Sequence, residues 1–305
     1  MRIIDSNIAQ QYSELRWRLR KRLHELEFYE ITSPACLWKP QSANTGHGVN
    51  YELRESIELH LRCALANGLD AIYELGRCFR HDDHSDETHL HEFHMLETFK
   101  RGLEYSGLLQ LTRDLLEAAF GAKVDSFDEI NVAQELQIKF PSLDFSVDDE
   151  RMLVQLRELT ETDRKFACEA VDDLIDKKLI NKNLGTLRNP AILTHFPTCT
   201  ISLAKPWDNN PNIIQRFEVF VHGIEIAHGF VDDCDYIRVE QRMRKNDQKY
   251  LDKDFLELLK SGALPNTSAG VGFGIERLVM VANGITDIRL LVHCLQPHPK
   301  FTLES

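Results

Sequence analysis

With 305 residues, 43% of them hydrophobic and 28% charged, the chain can bury a substantial core as one large domain or as a domain with a small insertion. No run of about 18 apolar residues occurs, and Met1-Arg2-Ile3-Ile4-Asp5 lacks the apolar core of a signal peptide, so no membrane-spanning helix and a cytoplasmic location are expected. A net charge of -12 gives no general attraction to polyanions, and the seven cysteines (Cys36, Cys63, Cys78, Cys168, Cys199, Cys234, Cys294) never form a CxxC pair, which argues against a disulfide framework or a zinc knuckle.

Along the chain, Tyr12, Leu15, Leu19, Leu23 and Leu26 recur at three- and four-residue intervals and predict an amphipathic helix over 8–27. Its other side carries Arg16, Arg18, Arg20, Lys21 and Arg22, and a second basic group is Arg238, Arg242, Arg244, Lys245 and Lys249. Each reads as a solvated helix face or as a local site for a polyanion. A strand then leads to Pro34, residues 40–50 form a turn-rich loop, 56–67 a helix, and Ile72 to Leu75 a strand running into Arg80.

After Phe79-Arg80-His81-Asp82-Asp83 and a polar loop comes His89-Leu90-His91-Glu92-Phe93-His94-Met95-Leu96-Glu97. Alternation over 92–99 places Phe93, Met95, Glu97 and Phe99 on one strand face, and a carboxylate among aromatics suggests a pocket. His81, His84, His89, His91 and His94 have spacings that also fit a metal, but the flanking arginine and phenylalanine account for the segment as a nucleotide loop. A helix over 106–120 follows. Residues 122–188 are charged and mostly helical, with an apolar stripe of Phe166, Ala170, Leu174 and Ile175.

Strands are expected within 190–206, 215–232 and 269–273, with a helix containing Phe255, Leu256, Leu258 and Leu259 before the last. That strand opens the segment Gly270-Val271-Gly272-Phe273-Gly274-Ile275-Glu276-Arg277-Leu278-Val279-Met280, in which three alternating glycines run into an arginine and an apolar helix-like stretch. Side-chain-free positions two apart let one strand face lie against a flat ligand, with Arg277 at the helix start to cover a purine or phosphate; the same pattern also serves tight strand-to-helix packing.

The Arg80 and Gly270 segments resemble motifs 2 and 3 of class II aminoacyl-tRNA synthetases, and Ile31-Thr32-Ser33-Pro34 after a helix resembles motif 1. The ordered triple spans about 10–297 and is most similar to the lysyl-type catalytic core, especially the stand-alone relative that attaches lysine to elongation factor P. The resemblance implies an α+β fold: an antiparallel sheet flanked by helices, in a single catalytic domain over 1–305, with 122–188 as a helical insertion between motifs 2 and 3 and no anticodon-binding domain. It implies a homodimer built on the first helix and strand.

It also implies ATP and Mg2+. Arg80 would bridge the substrate carboxylate and the α-phosphate, as suits a planar guanidinium. Phe93 and Arg277 would sandwich the adenine, with Asp82, His89 and Gly274 completing the ATP site and Asp82 standing where the family usually has glutamate. Glu218 and Glu225 match the two carboxylates that hold magnesium, and hard oxygen ligands fit that ion. Simple alternation groups His228, Phe230 and Asp232 away from Glu225, so a shared site requires a bulge or strong twist near Gly223. Glu58, Glu97, Phe99, His228, Asp232 and Gly272 would form the amino-acid pocket. Three acidic groups favour a substrate with a second cation, such as lysine.

The lysyl pattern has tyrosine, asparagine and glutamate where this chain has Phe99, His228 and Asp232, and a longer link after Pro34. The expected activity is ATP-dependent formation of an aminoacyl-adenylate from a basic amino acid and its transfer to a protein lysine, with elongation factor P the implied acceptor. The alternatives are a paralogue serving a tRNA, a carrier protein or a small-molecule amine, and a non-catalytic amino-acid sensor.

Overall fold

The computed structural model describes residues 5–39, 50–80, 86–147, 149–160, 162–200, 203–245 and 253–292. The expected loop at 40–49 and His81, Asp82, His84 and Lys249 lie outside the described residues. In chain order the elements begin α1 (Ser6–Glu25), β1 (Tyr29–Glu30), β2 (Cys36–Lys39), β3 (Asn50–Leu53), α2 (Glu58–Ala66), β4 (Ala71–Phe79), β5 (Glu92–Arg101) and α3 (Tyr105–Phe120). Then come β6 (Asp128–Asn131), α4 (Val132–Lys139), α5 (Asp149–Thr160), α6 (Ala167–Leu179) and β7 (Ala191–Thr194). The last part holds β8 (Pro206–Trp207), β9 (Asn210–Ile214), β10 (Arg216–Val221), β11 (Ile224–Val231), α7 (Tyr236–Lys245), α8 (Lys253–Lys260), β12 (Ser268–Gly274) and α9 (Ile275–Asn283), followed by a 3-10 turn at Ile288–Leu291.

Eight strands form one sheet in the order β1-β4-β5-β12-β11-β10-β7-β6. The inner neighbours run antiparallel, and only the two edge pairs, β1 with β4 and β6 with β7, are parallel. This is the expected α+β architecture of a mostly antiparallel sheet flanked by helices.

One face of the sheet, carrying Leu96, Val271, Phe273, Ala227 and Val219, packs with the apolar sides of α1, α3 and α9 into the main core. Leu15, Leu19 and Leu23 of α1 are buried there, and the Asp5 carboxylate caps that helix by accepting from the Asn7 and Ile8 amides. On the opposite face, α2 covers one end through Ile57, Leu61 and Leu65 against Ile72 and Phe99. At the other end Leu193, Phe220 and Phe230 pack with α4 and α6 in a second core, and between the two ends the face opens into a cleft.

Two features differ from expectation. The strand towards Pro34 stops at Glu30, because after the Ile31 amide bonds to Tyr73 the Ser33 amide and hydroxyl donate to the Glu74 carboxylate instead of to a strand. Residues 122–188 contain α4, α5 and α6, but also β6, which extends the main sheet beyond β7.

Candidate active site

The site is built on one row of residues that the strand register sets side by side. Glu97 of β5 pairs with Gly272 of β12, Gly272 with His228 of β11, and His228 with Glu218 of β10. Directly opposed residues on neighbouring strands share a face, so these four point the same way. Gly272 is the floor: a Cβ there would meet Glu97 Oε2 at 2.6 Å, so only glycine leaves that carboxylate where it lies.

Glu225 joins the row through a bulge. The β10–β11 register shifts between Val219 and Phe220, pairing Val219 with Ala227 but Phe220 with Glu225, so Ile226 is the extra residue. That one-residue insertion reverses the side-chain parity and turns Glu225 to the face of His228. Glu218, Glu225 and His228 consequently each offer a ligand atom within 4.8 Å of one another. Among the described residues no other such group forms, and His89, His91 and His94 do not make one.

Above the row lies a cleft of about 530 Å³, lined by Glu58, Arg80, His89, Phe93, Glu97, Glu225, His228, Gly272, Gly274 and Arg277 of the expected site residues. Glu218 faces an adjoining hollow of about 350 Å³, whose lining shares Thr88, His89, Glu225 and Arg277 with the cleft. Arg277 is fixed by Nε donating to the Thr88 carbonyl at 3.2 Å and Nη1 to the Glu225 carbonyl at 3.1 Å. Arg80 lies with its guanidinium carbon 5.3 Å from the Phe93 ring centre, and among the described residues no carboxylate pairs with it.

Phe99 and Asp232 do not line the cleft. Phe99 is buried beneath Arg62, whose guanidinium carbon sits 4.6 Å from its ring centre. Asp232 is also buried; its Oδ1 accepts from Arg62 at 2.8 Å and its Oδ2 from Ser268 at 2.6 Å. Both meet Arg62, which also holds Glu58 at 3.0 Å. Burial works against the Arg62 charge, but Asp232 and Glu58 outweigh it and hold the guanidinium protonated.

Sequence reasoning missed Arg62. It missed Glu276 too, which lines the cleft and accepts from Tyr12 Oη at 2.8 Å and from the His94 amide at 2.9 Å, tying α1, β5 and α9 together. Glu276 stands two residues after Gly274, beside Arg277, and its place in the first turn of α9 was the available signal.

Charge is distributed unevenly. Burial, reinforced by Glu58, pushes the Glu97 carboxyl well above the ordinary carboxylate range, against Arg62 and Arg80. Burial pushes Glu218 up to about 7, with Arg216 opposing and Glu225 adding to the shift. Burial and then Arg216 and Arg80 hold His228 well below the usual imidazole value, so its ring is neutral at pH 7. A cleft with an arginine that no carboxylate pairs among the described residues at one side, and a buried carboxyl with a raised pKa at the other, fits a ligand bearing both charges.

Residues 5–294 match the family described as tRNA synthetases class II (D, K and N). A lysine–tRNA ligase of Saccharolobus solfataricus is 28% identical across 97% of this chain and 67% of its own length. The lysine–tRNA ligases of Helicobacter hepaticus and Buchnera aphidicola are 30% and 29% identical across 92% and 96% of this chain. This chain covers 60% and 64% of those two proteins.

Proposed function

Because the chain belongs to the class II tRNA synthetases (D, K and N), we propose that it activates a basic amino acid, lysine or a close analogue, with ATP and passes the acyl group to an acceptor. The observation that carries this is the row of Glu97, Gly272, His228 and Glu218 beneath a cleft whose open arginine is Arg80. A carboxylate oxygen of the amino acid attacks the α-phosphorus of ATP, the bond to pyrophosphate breaks, and a mixed anhydride forms.

Two anions must approach each other for that step. Arg80 offers N–H groups to both, offsetting their repulsion and the charge that builds on the phosphorus oxygens. Phe93 and the anchored Arg277 hold the adenine between them, while His89 and Gly274 complete the nucleotide site. Glu97 and Glu58 receive the substrate's cationic groups: an arriving ammonium restores Glu97 to its charged form, so the buried site recognises a cation that a neutral isostere cannot replace. Glu218 and Glu225 would hold Mg2+, which when bound offsets phosphate charge; their close oxygen donors suit that ion.

The acceptor proposed is a lysine side chain of elongation factor P, whose amine nitrogen attacks the anhydride carbonyl and displaces AMP. The basic face of α1 supports a protein over a polyanion, since Arg18 is bound to the Ala118 and Ala119 carbonyls, Arg20 to Glu30 and Arg22 to Asp114. A tRNA acceptor is the second reading, favoured by the name of the relatives. A homodimer is proposed through α1 and β1, where Trp17 and Tyr29 are 56% and 70% exposed. Light scattering that finds only monomer would remove that element.

The test is amino-acid-dependent exchange of labelled pyrophosphate into ATP. Exchange is expected with lysine or another diamino acid and is lost in Arg80→Ala by a factor of roughly 100 or more with the melting temperature unchanged. Absence of exchange with every amino acid tried, elongation factor P and tRNA included as additions, would overturn the activation reading. Label transferred to elongation factor P or to tRNA decides between the acceptors.

A further inference from the structure

The His228 ring is not needed to hold magnesium, and its placement points to something the two carboxylates alone would not do. Its Nε2 is buried without a hydrogen-bond partner, and it belongs to the group in which Glu218, Glu225 and His228 ligand atoms come within 4.8 Å. Buried polar atoms in native proteins nearly always find a partner, so an orphaned ring nitrogen on a residue grouped with two carboxylates calls for one. The geometry is imposed by the backbone. Glu218 and His228 are direct register partners, and the bulge at Ile226 brings Glu225 to their face from three residues away.

The ligand atoms are also available. Glu218 accepts from Arg216 through Oε1, and Glu225 from Arg277 Nη1 through Oε2 at 3.3 Å. Glu218 Oε2 and Glu225 Oε1 therefore remain without an arginine among the described residues. Two further carboxylates of α6, Asp172 and Asp176, line the same hollow, so its acidic groups outnumber its two arginines. Donors around one small divalent ion, each at about 2.0–2.2 Å, stand roughly 3–4.4 Å apart. A spread of 4.8 Å needs only a small inward movement of one side chain.

We propose that His228 converts this carboxylate pair into a mixed nitrogen and oxygen site that binds a first-row divalent transition ion, Mn2+ or Zn2+, in preference to Mg2+ and without nucleotide. Imidazole nitrogen suits transition ions, whereas Mg2+ keeps to oxygen donors and water. The proposal goes beyond the activation reading and does not depend on it, because the protein itself supplies three ligands.

The test is a titration of the purified, nucleotide-free chain with Mn2+, followed by electron paramagnetic resonance. One Mn2+ per chain is expected, bound at least tenfold more tightly than Mg2+ in competition and displaced by Zn2+. The pulsed spectrum of the bound ion should carry modulation from a directly ligated nitrogen. His228→Asn, which keeps a polar side chain but removes the imidazole, should lose that modulation and weaken Mn2+ binding at least tenfold. Glu225→Gln should weaken it further.

No nucleotide-free binding, equal affinity for Mg2+ and Mn2+, or a bound-ion spectrum without nitrogen modulation would each overturn the proposal. The wild-type spectrum decides the matter even if His228→Asn fails to fold. Pyrophosphate exchange is measured separately, so failure of the metal proposal and failure of amino-acid activation give different results.

Discussion

Gly272→Ala isolates the reading of Glu97 from the stability of the sheet. The added Cβ would stand 2.6 Å from Glu97 Oε2 and 2.9 Å from Oε1, where an ordinary contact is at least 3.4 Å, so the carboxylate must retreat by about 0.8 Å. What yields is the far end of a side chain beside an open cleft, so the fold should lose no more than about 1 kcal/mol. The hydrogen bond between Glu97 and a substrate ammonium is another matter. A charged hydrogen bond contributes about 1.5–3 kcal/mol, and losing most of it raises the KM for lysine roughly 10- to 100-fold.

Gly270→Ala provides the contrast two residues earlier on the same face. There the Cβ would stand 2.3 Å from the Thr98 backbone oxygen and 2.8 Å from the Phe99 ring, neither of which can step aside. Overpacking of that kind costs about 1–3 kcal/mol, which lowers the melting temperature by several degrees. Pyrophosphate exchange at varied lysine, together with thermal melts, reads both variants. If Gly272→Ala leaves the KM for lysine unchanged at an unchanged melting temperature, Glu97 is not the partner of the substrate cation and the pocket assignment fails.

Removing Arg62 should damage the fold rather than a single contact: Arg62→Ala leaves Asp232 buried without its ion partner, a loss of about 3–5 kcal/mol that urea denaturation will show, and a variant as stable as the parent would refute the pairing. Glu97→Gln should stabilise the chain as pH rises. The folded Glu97 keeps its proton above the pH at which the unfolded carboxyl, near 4.5, has lost it, so the unfolded state binds fewer protons and stability falls from there up through the raised folded value. The melting-temperature advantage of the glutamine variant should therefore grow between pH 5 and pH 8; a constant difference would mean that Glu97 is ionised in the empty cleft.

The parts of the fold that were legible in the sequence are those where one period dominates. Leucines at 15, 19 and 23 bury one side of α1, and the alternation of Phe93, Met95 and Glu97 turns one face of β5 to the cleft. β6 was hidden because Asp128-Glu129-Ile130-Asn131 is short and polar and becomes a strand only by pairing with β7 at the sheet edge. A bulge or twist near Gly223 could be required but not assigned to Ile226, since that depends on how two strands register. Arg62 was invisible for a different reason: an arginine on a helix ordinarily reaches solvent, and only the crowding of Glu58, Glu97 and Asp232 signals that a buried cation is needed to hold them together.

The order of groups along the row argues for the kind of ligand as strongly as any one residue does. Glu97 and Glu218 are separated by three steps between neighbouring strands, about 14 Å of sheet. At the Glu97 end, burial holds a carboxyl well above the ordinary carboxylate range, which an arriving cation would offset. At the Glu218 end, both carboxylates share arginines, but further acidic groups stand around them, so that end suits a divalent cation, which can also meet phosphate oxygens. A simple amino-acid binder needs only the first half, and a nucleotide binder only the second. Their union under one arginine, Arg80, is what joining an amino acid to a nucleotide requires.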